Sequence, residues 1–310
     1  MTGVLNINKP RGITSHDVVA RVRKMLGEKR VGHAGTLDPA AQGVLLLLLG
    51  PATRLAEFAA EREKEYLFRV VFGLETDTLD SEGQVLRQEL AGGISEDDVR
   101  QVLASLEGEI EMIPPMFSAV RHEGRKLYEL ARQGITVERK PRLVLVEKLR
   151  LEEFLRDDAH PEAVIRTVCS KGTYVRSLAQ MIAERLGTVG TVSELVRTRV
   201  GSFRLEDALA LEELEQRAKE GTVHEVLLPS DSAVAHLPRV ELDPAHALAL
   251  SSGQEGVAGD GEGLERGALV RVYVRGGEFF AIGTVVSVKR GELFVAPKKV
   301  LRDLRHKNPI

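Results

Sequence analysis

The sequence predicts a mixed α+β domain followed by a small all-β domain. Helix-like and strand-like apolar patterns alternate through the first 200 residues, the pattern changes after Phe203, and short strand-like segments follow a glycine-rich loop. The chain has 310 residues, of which 43% are hydrophobic and 29% charged, so it can bury more than one core. Disordered and collagen-like chains have other compositions and are excluded.

The N-terminus begins with a short apolar strand at 3–8 and an amphipathic helix at 16–26. In this helix, apolar residues recur at the spacing of one helical face. Ser15 is the expected N-cap because its hydroxyl can accept a hydrogen bond from the first turn, and Gly27 is the expected C-cap.

A glycine-rich loop and a buried strand follow this helix. Residues 31–43 contain three glycines and one proline, which predicts an irregular loop that carries His33 and Asp38. Such loops often carry functional residues. The six-residue apolar run Val44–Leu49 fits a buried strand and is far shorter than the ~20 residues that a membrane-spanning helix needs.

The middle of the chain alternates strands and helices. Tyr66–Phe72 is rich in residues typical of strands and ends at Gly73, and the pair Ser95 and Asp98 resembles a capping box of a helix that ends near Leu106. Further strands are expected at 143–151 and 162–169, and a further helix is expected at Ser177–Leu186 before Gly187.

The pattern of the chain changes after Phe203. An acidic helical stretch at 206–220 leads to a glycine-rich acidic loop at 253–267. We therefore predict two domains, a larger one at 1–235 and a compact all-β one at 236–310, and both sizes are typical of single domains. The strands of the second domain are expected near 269–274, 279–288 and 291–296.

The net charge of −3 hides an uneven distribution of charge. Fourteen acidic and three basic residues lie in 205–265, which gives this block a charge of −11 and is typical of a solvated acidic face. Three other zones are basic: 1–39 at +4, 121–142 at +4 and 286–310 at +5. Basic zones of this kind are compatible with a nucleic-acid partner.

Several kinds of site are excluded by what the sequence lacks. The single cysteine, Cys169, cannot form an internal disulfide and is expected in the core, and without Cys/His clusters no structural zinc site is expected. Known nucleotide-binding and serine-hydrolase motifs do not occur, and His122-Glu123 lacks the second histidine of a zinc protease. Neither an export signal nor a membrane span is found, so we expect a cytoplasmic protein.

One loop motif points to a known family. Gly32-His33-Ala34-Gly35-Thr36-Leu37-Asp38-Pro39 resembles the hallmark of the TruB family, the bacterial tRNA pseudouridine-55 synthases. Ala34, Ala40 and Gln42 differ from the residues most frequent in that loop, which affects its packing rather than its carboxylate. Five further motifs occur in the family's order and approximate spacing: Asn8–Gly12, Lys64–Tyr66, Pro114–Ala119, Ser170–Arg176 and Leu195–Arg199.

This resemblance implies the isomerisation of one T-loop uridine of tRNA to pseudouridine, without a cofactor or a metal. The glycosidic bond is broken, the uracil turns, and a carbon–carbon bond forms to the same ribose. Asp38 matches the family's catalytic aspartate, which is either a nucleophile or the base of a glycal route. A reactive carboxylate must stay ionised although burial opposes this, and Arg176 matches the cation that would hold it charged. Spacing alone would make Asp38 a turn aspartate before Pro39.

Four further residues match positions around the target base. Tyr66 matches a tyrosine that stacks on the uracil and assists proton movement, and Tyr174 and Leu195 match residues that line the uracil pocket. Stacking on an aromatic ring offsets part of the cost of flipping a base, at ~1–3 kcal/mol per base. His33 matches a residue that meets the nucleotides around the flipped base. Without the resemblance, these four would be interpreted as strand, core and surface residues.

Basic segments are expected to bind the tRNA backbone. The segment 114–142 resembles the family's flexible thumb, which clamps the T-arm, and Arg125 and Lys126 are its expected phosphate contacts. Lys9 is either another phosphate contact or a residue that shapes its loop. The 236–310 domain resembles a PUA domain, a small RNA-binding β-barrel. Its basic residues either face the acceptor stem or only solubilise the tail: Lys289, Arg290, Lys298, Lys299, Arg302, Arg305 and Lys307.

Two other functions stay open at this point. One is an RNA-binding or tRNA-folding protein with a vestigial active site, against which the presence of Asp38, Tyr66 and Arg176 argues. The other is the catalytic subunit of a guide-RNA pseudouridylation particle, which is a related family. The thumb-like segment and the short C-terminal domain favour an enzyme that acts on the tRNA T-arm with no obligatory protein partner and no membrane.

Overall fold

A computed structural model describes residues 1–259, 263–289 and 291–304. Two β structures organise this part of the chain, a nine-stranded mixed sheet with helices and a closed five-stranded barrel. The fold class predicted from the sequence is confirmed. In the described ranges, no helix is both long enough and apolar enough to span a membrane.

The first two thirds of the chain form the large sheet and two small hairpins. The strands are β1 (Gly3–Lys9), β2 (Val31–Ala34), β3 (Gln42–Leu49), β4 (Lys64–Phe72), β5 (Leu74–Thr76), β6 (Val85–Gln88), β7 (Gly108–Met112), β8 (Arg121–His122), β9 (Arg125–Lys126), β10 (Arg142–Leu155), β11 (Glu162–Cys169), β12 (Gly190–Val200) and β13 (Phe203–Arg204). The large sheet has the order β1-β3-β12-β4-β11-β10-β7, and β2 and β13 pair with β3 and β12. Its pairs are antiparallel except β3 and β12, which run parallel.

Helices pack on this sheet and connect its strands. They are α1 (Ser15–Leu26), α2 (Ala56–Ala59), α3 (Glu96–Ala104), α4 (Leu127–Ala131), α5 (Val175–Arg185), α6 (Leu211–Glu220) and α7 (Pro244–Ser251). Short 3₁₀ segments lie at Gly50–Leu55, Leu205–Asp207, Val223–Glu225 and Ser230–Val234.

The helix ends follow the sequence signals with one correction. Helix α1 has Thr14 as its N-cap, in a capping box with Asp17, so the prediction of Ser15 as the cap was wrong. Ser15 is the first helical residue, and its buried side chain instead forms hydrogen bonds with the backbone of Leu37. Gly27 is confirmed as a left-handed C-cap with φ 61°, and the capping box of Ser95 in α3 is confirmed as well.

Strand β3 is buried on both of its faces, which explains its unbroken apolar sequence. Strand β4 instead alternates buried and half-buried residues, and it lies between β11 and β12 in the middle of the sheet. Cys169 is buried and unpaired, as expected. Leu45, Leu47 and Leu49 face the core shared with α1, α3 and α5, whereas Val44, Leu46 and Leu48 face a second core.

The C-terminal strands close into a barrel with the order β14-β15-β18-β17-β16, formed by β14 (Arg239–Leu242), β15 (Gly256–Ala258), β16 (Leu269–Val274), β17 (Phe279–Lys289) and β18 (Glu292–Val300). The three strands predicted in this region are confirmed, whereas helix α7 was not predicted. Its first turn is capped by Asp243 with Pro244 at the first helical position.

The barrel packs directly against the sheet-bearing part of the chain. Leu55 and Phe58 form an apolar cluster with Val234 and Ile282. A salt bridge of 2.8 Å also joins Lys299 of β18 to Glu57 of α2. The division of the chain at 235/236 stays a prediction, because residues from both sides of this boundary pack together in the interface.

Candidate active site

The loop between β2 and β3 carries Asp38. Ser15 donates a hydrogen bond from Oγ to the carbonyl of Leu37 (3.0 Å) and accepts one from the Leu37 N–H (2.9 Å). The carbonyl of Pro39 accepts a hydrogen bond from the N–H of Gly12 (2.8 Å). The residues on both sides of Asp38 are therefore fixed to the N-terminal segment, while the Asp38 side chain stays 35% exposed.

Arg176 forms the ion pair that the sequence analysis expected with Asp38. Nη2 of Arg176 lies 2.8 Å from Oδ2 of Asp38, and the arginine side chain is only 4% exposed. The same guanidinium donates hydrogen bonds to the carbonyls of Thr78 (2.7 Å) and Phe117 (2.8 Å), and it lies 3.8 Å from the carboxylate of Asp80. These partners fix the plane of the guanidinium, so it holds the Asp38 carboxylate in one orientation.

Helix α5 places Arg176 in this position. The helix begins at Val175, two residues earlier than predicted, and Tyr174 is its N-cap. Arg176 therefore lies in the first turn, and the helix presents it toward the Asp38 loop. Ser177, in the same turn, donates a hydrogen bond to the carbonyl of Ile113 (2.9 Å), which anchors the helix start to the chain after β7.

Tyr66 lies on β4, paired with Thr167 of β11 and Arg197 of β12, and only 8% of it is exposed. Burial raises the pKa of Tyr66 above its usual value, the guanidinium of Arg197 opposes the rise, and the charge of Asp38 adds to it. The phenol is therefore protonated at neutral pH. Its hydroxyl also lies within the electrostatic reach of the Asp38 carboxylate.

Leu195 and Tyr174 differ in their relation to the Asp38 cleft. Leu195 lines the same small cleft as Asp38 and Arg176. Tyr174 is half-buried and packs against the helix-side core, and burial raises the pKa of its hydroxyl above the usual value. The structure therefore brings a charged carboxylate, its guanidinium partner and apolar side chains together at one cleft.

His33 lies in strand β2, so the prediction that it belongs to an irregular loop was wrong. The strand forms because residues 31–34 pair with the end of β3. Within the part of the chain that the structure describes, Nδ1 of His33 is buried without a hydrogen-bond partner. Burial lowers the pKa of His33, so the ring is neutral at pH 7.

Lys9 is completely buried, and its ammonium is hydrogen-bonded within the protein. Nζ donates hydrogen bonds to the carbonyls of Pro10 (2.8 Å), Ile13 (2.7 Å) and Pro39 (3.4 Å). Burial lowers the pKa of Lys9 to about 8. Of the two interpretations of this residue, the geometry supports a role in shaping the loop and leaves no exposed ammonium for a phosphate.

The thumb-like segment 114–142 contains hairpin β8–β9 and helix α4. Arg125 is exposed and donates a hydrogen bond to Gln133 (2.8 Å), while Lys126 lies over the ring of Tyr128. In the described ranges, no ion pair joins a basic residue of this segment to a carboxylate. Its cations are therefore available to an anionic partner.

The basic residues of the barrel differ in their surroundings. Lys299 pairs with Glu57 and Arg302 pairs with Glu278 (2.6 Å), so part of this charge is neutralised within the protein. Lys289 lies over the ring of Phe294. Three further residues of the predicted basic tail, Arg290, Arg305 and Lys307, lie outside the described residues.

Three residues that shape this site were not predicted to belong to it: Ser15, Asp80 and Arg197. Arg197 belongs to a quoted motif, and it lies two residues after Leu195 on the same strand, which was a signal that both face one side of the sheet. Ser15 was assigned to a helix cap, and Asp80 had no distinguishing neighbours. Among the residues that the structure describes, no group of three or more His, Cys, Asp or Glu is arranged to hold a metal ion.

The arrangement suits chemistry that uses a carboxylate as a nucleophile or a base. The carboxylate of Asp38 is exposed enough to reach a substrate and is oriented by a buried guanidinium. Leu195 lines the same small cleft and adds apolar surface to it.

Two family models match the chain. Residues 23–175 match the model described as "TruB family pseudouridylate synthase (N terminal domain)". Residues 176–235 match the model described as "tRNA pseudouridylate synthase B C-terminal domain".

Several relatives are similar over most of the chain. The tRNA pseudouridine synthase B of Geobacillus kaustophilus (strain HTA426) is 47% identical over 257 residues, which cover 82% of this chain and 90% of the relative. The protein of the same name from Pelotomaculum thermopropionicum is 43% identical, with 88% of each chain covered. That from Moorella thermoacetica is 40% identical and covers 97% of this chain and 99% of the relative.

Solved structures are similar over nearly the whole chain. A chain in the "Crystal Structure of a Cbf5-Nop10-Gar1 Complex" has a TM-score of 0.75 and 29% identity, with 97% of this chain and 85% of that chain covered. A chain in the "Structure of H/ACA RNP bound to a substrate RNA containing 2'-deoxyuridine" has a TM-score of 0.74 and 27% identity, with the same coverage.

Proposed function

This chain belongs to the TruB family of pseudouridylate synthases, and from this membership we propose that it converts uridine 55 in the T-loop of tRNA to pseudouridine. The names of its relatives support tRNA as the substrate. The position within the tRNA rests on the motif resemblance. The observation that carries the proposal is the ion pair of 2.8 Å between the buried Arg176 and the partly exposed Asp38.

In the proposed reaction, Asp38 acts on the ribose of a flipped uridine, and no cofactor takes part. The carboxylate either attacks C1′ as a nucleophile or removes a ribose proton in a glycal route. In both routes the glycosidic bond between N1 and C1′ breaks, the uracil turns and C5 bonds to C1′. This step displaces Asp38 in the nucleophilic route, whereas in the glycal route the removed proton returns to the ribose. C5 then loses its proton and N1 gains one, so the product is an isomer of the substrate. Arg176 would keep the carboxylate in a fixed orientation, because its guanidinium is buried and fixed by two carbonyls.

The uracil would be held by Tyr66, Tyr174 and Leu195. An aromatic ring beneath the base offsets part of the unstacking cost, since stacking contributes ~1–3 kcal/mol per base. The neutral ring of the half-buried His33 would meet a nucleotide next to the flipped base. These roles come from the family motifs, and the shared cleft of Asp38, Arg176 and Leu195 supports them.

Affinity would come mainly from cations that contact the phosphates of the T-arm. The segment 114–142 carries seven Lys/Arg and three Asp/Glu within 121–142, and its basic residues are mostly exposed. Cations of this kind bind the backbone without reading the sequence. We assign the same role to the exposed basic residues of the barrel, with weaker support because Lys299 and Arg302 are paired internally.

The chain is proposed to act without a protein partner. One of the similar solved structures is of a Cbf5-Nop10-Gar1 complex, and another is of an H/ACA RNP bound to a substrate RNA. The thumb-like segment would let this chain hold tRNA by its own contacts. The purified chain should therefore form pseudouridine on unmodified tRNA, and activity that requires added proteins would contradict this part of the proposal.

The substitution Asp38→Asn tests the catalytic assignment. It keeps the size of the side chain and removes the charge, so we expect tRNA binding close to wild type and no detectable pseudouridine. The product is read as carbodiimide-adduct stops at the T-loop uridine during primer extension. A transcript with cytidine at that position is the matched RNA control.

The control variant is Asp97→Asn, which makes the same change at an exposed carboxylate of α3. It should retain wild-type turnover. Normal turnover by Asp38→Asn would rule out the role of that carboxylate, and tight binding by a wild type that forms no product would favour an RNA-binding protein instead.

A further inference from the structure

Arg197 is one of the largest fully buried side chains of the described structure, with 1% exposure, in the middle of β12. It donates hydrogen bonds to the carbonyls of Val44 (2.7 Å), Gly35 (2.9 Å) and Thr36 (3.4 Å). Among the described residues, no carboxylate forms an ion pair with it. Burying a guanidinium against carbonyls alone is costly, so its position requires a reason beyond packing.

The three carbonyls lie on both sides of Asp38 in the sequence. Gly35 and Thr36 precede it and Val44 follows it, so one guanidinium spans the two ends of the loop that carries the carboxylate. Hydrogen bonds from a rigid planar group fix the relative position of the segments that accept them.

Gly43 lets the loop approach the backbone of Arg197 closely. At Gly43 a Cβ would lie 2.3 Å from the carbonyl oxygen of Arg197, whereas at Gly35 it would lie at an ordinary contact distance of 3.6 Å from Nη1. Both glycines also have positive φ, 109° and 81°, which other residues rarely adopt. The backbone is therefore built to approach this arginine closely, which supports a fixed geometry for the loop.

Arg197 also meets Tyr66. The two residues are direct partners in the antiparallel pair of β12 and β4, so their side chains point to the same face of the sheet. The guanidinium of Arg197 is close enough to the phenol to oppose the rise of the Tyr66 pKa that burial causes. One side chain thus contacts the loop of Asp38 and lies beside the tyrosine proposed to lie beneath the base.

We propose that Arg197 is a positioning residue that holds the Asp38 loop at a fixed distance from Tyr66, so that the carboxylate faces the ribose when the base lies on the ring. This inference rests on the proposed function. It assigns Arg197 an effect on the rate of isomerisation and little effect on tRNA affinity, because its side chain is buried beneath the cleft. Small displacements of a reacting group reduce rates by about 100-fold.

The test compares Arg197→Lys and Arg197→Gln with wild type in single-turnover reactions at saturating tRNA. The tRNA carries tritium at C5 of its uridines, and each isomerisation releases one tritium. We expect the rate to fall about 10-fold for Arg197→Lys, which keeps a cation and some hydrogen bonds, and about 100-fold for Arg197→Gln. The Kd for tRNA should stay within about threefold of wild type, measured by filter binding at one salt concentration.

Arg62→Lys is the matched control, because Arg62 is equally an arginine buried against polar groups, at the barrel interface. It donates hydrogen bonds to Ser202 Oγ (3.1 Å) and the carbonyl of Ser232 (2.8 Å). This variant should lose thermal stability, as Arg197→Lys does, but keep the wild-type rate. The comparison at equal folded fraction separates positioning from general destabilisation.

Each outcome either supports or overturns the positioning role of Arg197. Slower turnover with unchanged Kd for Arg197→Lys, and not for Arg62→Lys, supports the inference. Three results would overturn it: an unchanged rate for Arg197→Lys, an equal loss of rate in Arg62→Lys, or a loss of affinity as large as the loss of rate. In each case, turnover by the wild type would leave the proposed function intact. A wild type that releases no tritium would defeat the proposed function and this inference with it.

Discussion

The Asp38 cleft and the segment 114–142 use cationic side chains in opposite ways. In the cleft, Arg176 and Arg197 are almost completely buried, and each donates to two or three backbone carbonyls. In the segment, the basic residues are mostly exposed, and none of them pairs with a carboxylate in the described ranges. The basic residues of the segment are Arg121, Arg125, Lys126, Arg132, Arg139, Lys140 and Arg142.

This difference separates two roles of cationic side chains in an RNA-modifying protein. A guanidinium fixed by carbonyls cannot move toward a phosphate, but it can hold a carboxylate charged and oriented. An exposed cation contributes little to folding, but it can replace the counterions of a phosphate backbone. Variants of the cleft should therefore change the rate of the proposed reaction, and variants of the segment should change affinity and its dependence on salt.

The largest effect is expected from Arg176→Gln. It removes the charge that faces Asp38 and leaves the carbonyls of Thr78 and Phe117 with a weaker donor. We expect the single-turnover rate to fall about 100- to 1,000-fold, as when a fixed electrostatic partner is removed, with tRNA affinity within about threefold. The rate is measured by tritium release and the affinity by filter binding.

Arg166→Gln is the control for this prediction. Arg166 lies on β11 of the same sheet and pairs with Glu65 (3.0 Å) and Glu152 (2.6 Å), but its side chain is partly exposed. Since exposed pairs contribute little, this variant should keep its rate within about twofold. If Arg166→Gln slowed turnover as much as Arg176→Gln, the contrast between buried and exposed arginines would not hold.

A smaller effect of the opposite kind is expected from the segment. Replacing Arg125, Arg132 and Lys140 together by Gln removes three exposed charges. If each contacts a phosphate, the slope of log K against log salt falls by about 0.7–0.9 per contact, and affinity falls about 10-fold or more at moderate salt. The rate at saturating tRNA should stay near wild type.

The triple variant Arg100, Arg204 and Lys219 to Gln is the matched control, because these exposed cations lie outside the segment. It changes the net charge by the same amount as the triple variant of the segment. It should leave the slope of log K against log salt almost unchanged. Equal slopes for the two triple variants would mean that the tRNA is attracted by the overall charge and that the segment is not a specific binding surface.

The sequence predicted the elements that depend on local pattern. The apolar run of β3, the alternation in β4, the capping box at Ser95 and the left-handed Gly27 are all set by neighbouring residues. Helix α7 was missed because its apolar residues alternate with small ones in Ala-His-Ala-Leu-Ala-Leu, which does not mark one helical face. The cap by Asp243 was the available signal.

The parts of the site that could not be predicted depend on contacts between distant residues. His33 looked like a loop residue among glycines, but pairing with β3 makes it part of a strand. Ser15 reaches Leu37, 22 residues away, and Arg197 reaches Gly35, 162 residues away. The spacing of apolar residues within one segment carries no information about such contacts. The motifs predicted that Asp38 meets Arg176, and they did not say what holds the two in place.

The smallest effect is expected at the tip of hairpin β8–β9, where Glu123 has φ 49° and Gly124 has φ 85°. Two successive positive φ values at a two-residue turn are typical of type I′, which favours Asn at the first position. Glu123→Asn should therefore stabilise the hairpin and also remove one negative charge from the segment. We expect tRNA to bind up to about threefold more tightly, with an unchanged rate of isomerisation.

The substitution Glu138→Gln separates the two causes, because it removes one negative charge from the same segment away from this turn. If the turn matters, Glu123→Asn will bind tRNA more tightly than Glu138→Gln and will slow amide hydrogen exchange in β8 and β9. If the two variants bind equally, charge alone explains the gain. Weaker binding by Glu123→Asn would mean that the tip must stay flexible to reach the RNA, and the contrast between a rigid cleft and an adaptable segment would then become stronger.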